Sequence, residues 1–139
     1  MSEAEALQAA LAGEHACVFG YGVVGAAVDA DREPAARDAY DGHRLRRDEI
    51  TDLLRRRGEE PVAALAGSAL PFPVTGPAEA GELAALLEAR LAVALAGLVR
   101  EAGSAALRER SARWLAETAV RGAGWSGSVT GLPGLDPSP

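Results

Sequence analysis

Apolar side chains recur at three- and four-residue steps in four stretches of the chain, and polar or proline-rich segments separate them. In the first, Ser2 to Asp29, the residues Leu7, Leu11, Glu14, Val18, Tyr21 and Val28 fall near one face, as on an amphipathic helix. Ser2 and Glu5 have capping-box spacing at its start. A second helix is predicted from Pro34, a residue suited to a first helical turn, to about Arg57. It turns Ala36, Tyr40, His43, Arg47, Ile50 and Leu54 inward and stops at Gly58. The third, about Ala78 to Ala102, aligns Ala84, Glu88, Leu91, Leu95 and Leu98. Gly103 and Ser104 then supply a break and the next cap, and a fourth helix to about Ala123 aligns Leu107, Arg110, Trp114, Glu117 and Arg121.

The connections decide the topology. Asp31 to Glu33 is a short polar turn, so the first two helices form an antiparallel hairpin. Residues 59–77 contain Pro61, Pro71, Pro73 and Pro77 and cannot be one regular helix. They read as a long crossover with a helical turn over Val62 to Leu65, then an extended stretch laying Leu70, Phe72 and Val74 along the helices. Short, long and short connections give two antiparallel helix hairpins joined by a crossover: an all-α domain over 1–123 and a Gly/Ser/Pro-rich tail over 124–139, with Trp125 as its one anchor. Gly20, Gly22 and Gly25, which weaken the first helix, are expected to admit a neighbouring backbone.

Composition agrees and narrows the function. The 139 residues are 48% hydrophobic but only 4% aromatic, a bias made by Ala and Leu, which favour helices that pack closely. A net charge of −6 opposes an electrostatic grip on nucleic acid or an anionic membrane. All fourteen basic residues are arginine, from which no mechanism follows. Cys17 is the sole cysteine, which excludes an intrachain disulfide and fits a small buried hydrophobe. The start lacks the cationic and apolar blocks of a secretory signal, and the apolar run Cys17 to Val28 is too short to span a bilayer, so no membrane insertion and a cytoplasmic location are expected.

Candidate chemistry lies on the inward stripes. Glu14 and His43 are 29 residues apart, as are Glu88 and Glu117. Sliding the first half by 74 residues brings Glu14 onto Glu88, Tyr40 onto Trp114, His43 onto Glu117 and Arg47 onto Arg121. A di-metal bundle takes a Glu from each of two helices and Glu-x-x-His from each of the others. Here Tyr40 and Trp114 stand at the bridging-carboxylate positions, and Val120 at the histidine position of the shifted register. Two readings stay open. Glu14, His43, Glu88 and Glu117 form a polar core compensated by Arg47 and Arg121 without any cofactor, or they hold iron or manganese in a degenerate site. A third places a small apolar ligand in a pocket lined by Tyr21, Tyr40 and Trp114. His15 points to another face and suits a half-exposed or subunit-contact role, and no nucleophile is convincingly placed.

These residues carry a resemblance. Glu14-His15-Ala16 with Tyr21-Gly22-Val23-Val24-Gly25, the run from Tyr40 to Asp48, and Leu70-Pro71-Phe72-Pro73-Val74 resemble the ferritin-like family known as domain of unknown function 4439, over about residues 3 to 123. The resemblance implies a ferritin-like four-helix bundle and no particular activity. The wider ferritin-like group includes iron stores, di-iron oxidases and members that have lost their metals. The departures at Tyr40, Trp114 and Val120 point to the last kind, and hence to a binding or interaction module that pairs as a homodimer or meets a protein partner. The alternative is a metal-dependent oxidase or peroxide-handling protein.

Overall fold

The computed structural model describes residues 1–65, 69–127 and 134–135. Among them are four helices and no strand: α1 (Glu3–Ala27), α2 (Glu33–Arg56), α3 (Pro77–Glu101) and α4 (Ala105–Ser126). The fold is all-α, and no described helix is long and apolar enough to cross a membrane.

Local chemistry sets the helix ends. The Ser2 hydroxyl accepts from the Glu5 amide at 3.1 Å while Glu5 accepts from the Ser2 amide at 2.9 Å, the reciprocal box that satisfies two orphan donors of α1. Ser104 caps α4 by accepting from the Leu107 amide. Proline opens α2 and α3 where its missing N–H costs nothing. Gly58 ends α2 with φ +73°, which only glycine takes without penalty. Helix α4 runs three residues beyond the expected Ala123, and Trp125 packs against the core from its last turn, with Arg32 stacked 4.2 Å from the ring centroid.

Helix α1 packs against α2 and α3, and α3 against α4. The contacts run in opposite senses, since Glu3 of α1 binds Arg57 just past α2 and the Gly103 amide just past α3. Leu7, Leu11, Ile50, Leu54, Leu83, Leu91, Leu95 and Leu98 fill the shared interior. Gly13 and Gly20 admit Leu91 and Leu87: a Cβ on Gly13 would lie 2.8 Å from Leu91 Cδ1, and one on Gly20 would collide with Leu87. Gly22 and Gly25 do not share this role, because a Cβ on either meets no neighbour.

The crossover runs along α1. Gln8 accepts from the Val62 amide and donates to the Glu60 carbonyl, and His15 Nε2 donates to the Val62 carbonyl at 3.0 Å. These bonds hold the backbone extended, and the helical turn expected over Val62 to Leu65 does not form. They also give His15 an intrachain hydrogen-bond partner. Leu70, Phe72 and Val74 pack on the core as the alternation predicts.

Candidate functional site: a buried ion cluster

The centre of the molecule is polar. Glu14 in mid-α1, His43 in mid-α2 and Glu88 in mid-α3 are all buried. His43 Nδ1 lies 2.6 Å from Glu14 Oε2 and Nε2 lies 2.8 Å from Glu88 Oε1. Carboxylate oxygens accept, so a ring held between two of them donates from both nitrogens, as imidazolium. The Tyr21 hydroxyl donates to Glu88 Oε1 at 2.7 Å, and its ring stacks on His43 with centroids 5.4 Å apart. Arg46 completes the group: Nη1 donates to Glu14 Oε1 at 3.1 Å and Thr118 Oγ1 at 2.9 Å, and Nη2 to Glu117 Oε2 at 2.8 Å. The two fully buried carboxylates thus face two cations, with Glu117 a third carboxylate on Arg46 at the rim.

The protonation equilibria follow this geometry. Burial works against a charged His43, but the Cys17 sulfur near the ring and the hydrogen bonds to Glu14 and Glu88 outweigh it and hold the ring's pKa at about 11. Burial pushes the Cys17 thiol up to about 11, which leaves it a thiol rather than a nucleophilic thiolate. Tyr21 is raised well above the usual phenol range by burial first and the Glu88 charge second.

Glu14, Cys17 and His43 offer ligand atoms within 4.8 Å of one another, the grouping nearest to a metal site among the described residues. Each of these donors is already engaged within the protein. A metal needs a histidine lone pair, and both ring nitrogens are committed as donors to carboxylates. Cys17 is held as a thiol, and the Arg46 guanidinium already neutralises Glu14.

The expected residues divide. Glu14, His43, Glu88 and Tyr21 converge. Glu117 does not join them: its side chain is 49% exposed and touches the cluster only through Arg46 at the rim. The inward position on α4 belongs to Thr118, fully buried and thirty residues after Glu88, where His43 is twenty-nine after Glu14. On α2 the expected phase Tyr40, His43, Arg47 is replaced by Ala39, His43, Arg46. Arg47 pairs with Asp48 instead, and Tyr40 is half-buried beside Arg44, its ring centroid 5.5 Å from that guanidinium. Arg121 makes no ion pair among the described residues; it lies over α2, where a Cβ on Gly42 would collide with Nη2. Trp114 is buried between Arg46 and Arg110 and does not line the cleft at Tyr40. Tyr40 lines a cleft of about 390 Å³ between α1 and α2 instead, with Tyr21, Gly22, Gly25 and Ala36, and with Glu33, Arg37 and Asp41 also lining it.

Arg46 and Thr118 are what the sequence reading missed. Both residues satisfy helical spacing, but so do their neighbours Arg47 and Glu117, and charge alone favours the neighbours. Counting from Ala36 and Ala39, small residues that fit the tight α1–α2 contact, selects the observed phase.

A family model described as a domain of unknown function, DUF4439, matches residues 6–137. Among solved structures the chain is similar to a conserved hypothetical protein, rv2844, from Mycobacterium tuberculosis, with 36% identity, a TM-score of 0.87, and coverage of 90% of this chain and 95% of that one. No curated protein matches the chain.

Proposed function

The chain belongs to the DUF4439 family, and from that footing we propose that it is a ferritin-like four-helix bundle acting as a metal-free binding module. The observation that carries this reading is the His43 ring clamped between Glu14 and Glu88. Imidazolium and guanidinium occupy the charge position that a metal takes in the metal-loaded members of that fold. The binding surface is the α1–α2 cleft, where Gly22 and Gly25 leave open a floor that side chains would otherwise fill and the Tyr40 ring forms one wall. Its occupant is a small apolar molecule. Tyr21 is both a wall of the cleft and a donor to Glu88, so the ion cluster fixes the shape of the cleft.

The module is cytoplasmic and pairs as a twofold dimer. Phe19, 45% exposed, with Val23, Ala26 and Val74 along a groove of about 910 Å³, is the apolar surface that supports pairing. Light scattering of the purified chain should return twice the chain mass.

Elemental analysis of untagged protein, before and after incubation with iron(II) or manganese(II) and desalting, tests the metal-free reading. No retained metal is expected. A stoichiometric ion lost in Glu88→Ala would overturn the metal-free reading in favour of the second one, a metal-dependent oxidase or peroxide-handling protein, for which Glu14, Cys17 and His43 are the nearest ligand grouping. For the cleft, Gly25→Leu should abolish any thermal shift given by a small aromatic probe while the helices stay intact by circular dichroism.

A further inference from the structure

The inward residues of α2 and α4 correspond with an offset of 75: Ala36 with Ser111, Ala39 with Trp114, His43 with Thr118, Arg46 with Arg121. On α1 and α3 the correspondence places Glu14 with Glu88. In the first half the matched pair is closed, Arg46 Nη1 donating directly to Glu14 Oε1. In the second half it is open. Glu88 Oε2 is a buried acceptor and Arg121 Nη1 a buried donor, and neither has a hydrogen-bond partner among the described residues. Both residues lie at the seam where α2, α3 and α4 meet: Gly122, next to Arg121, would carry its Cβ 3.4 Å from Glu88 Cβ, and the Arg121 guanidinium lies over Gly42, next to His43.

We propose that Glu88 Oε2 and Arg121 Nη1 form a binding site for one water-sized neutral molecule that accepts from the arginine and donates to the carboxylate. A buried carboxylate oxygen and a buried guanidinium nitrogen each cost free energy when unpaired, and a guest with both a donor and an acceptor satisfies the two at once. Net charge selects against ions, since Arg121 repels a cation and Glu88 an anion. The glycines at 42 and 122 make room for the two side chains: Gly42 admits the guanidinium, and Gly122 admits Glu88. Thr118, standing where the first half has His43, leaves Glu88 to draw its imidazole from α2 through Oε1 alone, with Oε2 free for the guest.

The test is a crystal structure of the full chain at a resolution that orders internal water, with Arg121→Leu as its partner. In the unaltered protein a single water should lie within hydrogen-bond distance of both Glu88 Oε2 and Arg121 Nη1, and in Arg121→Leu it should be gone. A direct Arg121–Glu88 contact, an unfilled seam, or a water that persists in Arg121→Leu would each overturn the proposal. Should Arg121→Leu fail to fold, Gly42→Ala displaces the same guanidinium from outside the cluster and must also empty the site.

Discussion

The two helix hairpins are built on one plan and differ where it matters. Helices α1 and α2 supply Glu14, His43 and Arg46, which bond directly to one another. Helices α3 and α4 supply Glu88, Thr118 and Arg121 at the matching places, and these three make no hydrogen bond among themselves. The connections differ too, residues 28–32 in the first hairpin and 102–104 in the second, and the facing registers differ by one residue. That single step turns the acidic Glu117 to the rim and an uncharged threonine inward. The first hairpin therefore carries its own counter-charges, while the second contributes a carboxylate that the first must satisfy.

The largest effect should come from breaking the clamp. His43→Leu leaves the Glu14 and Glu88 carboxylates facing an apolar side chain, and removing one partner of a buried ion pair costs about 3–5 kcal/mol. The matching change in the second hairpin, Thr118→Val, deletes one acceptor of Arg46, which keeps Glu14 and Glu117, and should cost about 1 kcal/mol. Urea unfolding of both variants measures the difference. Equal losses would mean that the two hairpins share the load.

Arg46→Met sharpens the same contrast with a chemical readout. It leaves the cluster one positive charge short, and the site should now retain manganese(II) through desalting where the unaltered protein does not. Arg121→Met, at the matching position but without an ion pair among the described residues, should gain no metal and unfold within about 1 kcal/mol of the parent. Metal uptake by both variants would place the charge balance in the whole molecule rather than in the first hairpin.

Alkaline pH should weaken the fold through the first hairpin. With its pKa raised from 6.5 to about 11 in the folded protein, His43 contributes stability that is fully present below about pH 6.5 and lost as pH climbs toward 11. Unfolding free energy should fall across that window in the parent and far less in His43→Leu. A parallel decline in both would assign the pH dependence to other groups.

The fold was open to sequence reading because its determinants are local. Ser2 and Ser104 cap, Gly58 stops, Pro34 and Pro77 start, and the prolines of the crossover forbid a fifth helix, each through backbone chemistry that a few neighbouring residues fix. The convergence of Glu14, His43 and Glu88 was legible for the same reason, since His43 lies inward in either phase of α2 and Glu14 and Glu88 sit on the leucine stripes of α1 and α3. The phase of α2 was not, because Tyr40 and Arg47 satisfy helical spacing as well as Ala39 and Arg46 do. Tertiary contact decides between them: a small Ala39 fits against the core, while the Tyr40 ring lies at the α1–α2 cleft. Glu117 misled through the repeated spacing of 29, a coincidence that the one-residue step on α4 exposes.

The smallest prediction separates two glycines of α1 that spacing treats alike. Gly20 faces α3, where a Cβ would collide with Leu87, so Gly20→Ala forces that leucine from its place in the core. Gly22, half a turn on, has nothing within 4 Å of the same added atom, and alanine there recovers helix propensity of about 0.5–1 kcal/mol. Thermal unfolding should move down for Gly20→Ala and up for Gly22→Ala. A stabilised fold that has also lost affinity for a cleft-bound probe would show that Gly22 is retained for the opening it leaves beside Tyr21, at a cost to the helix that carries it.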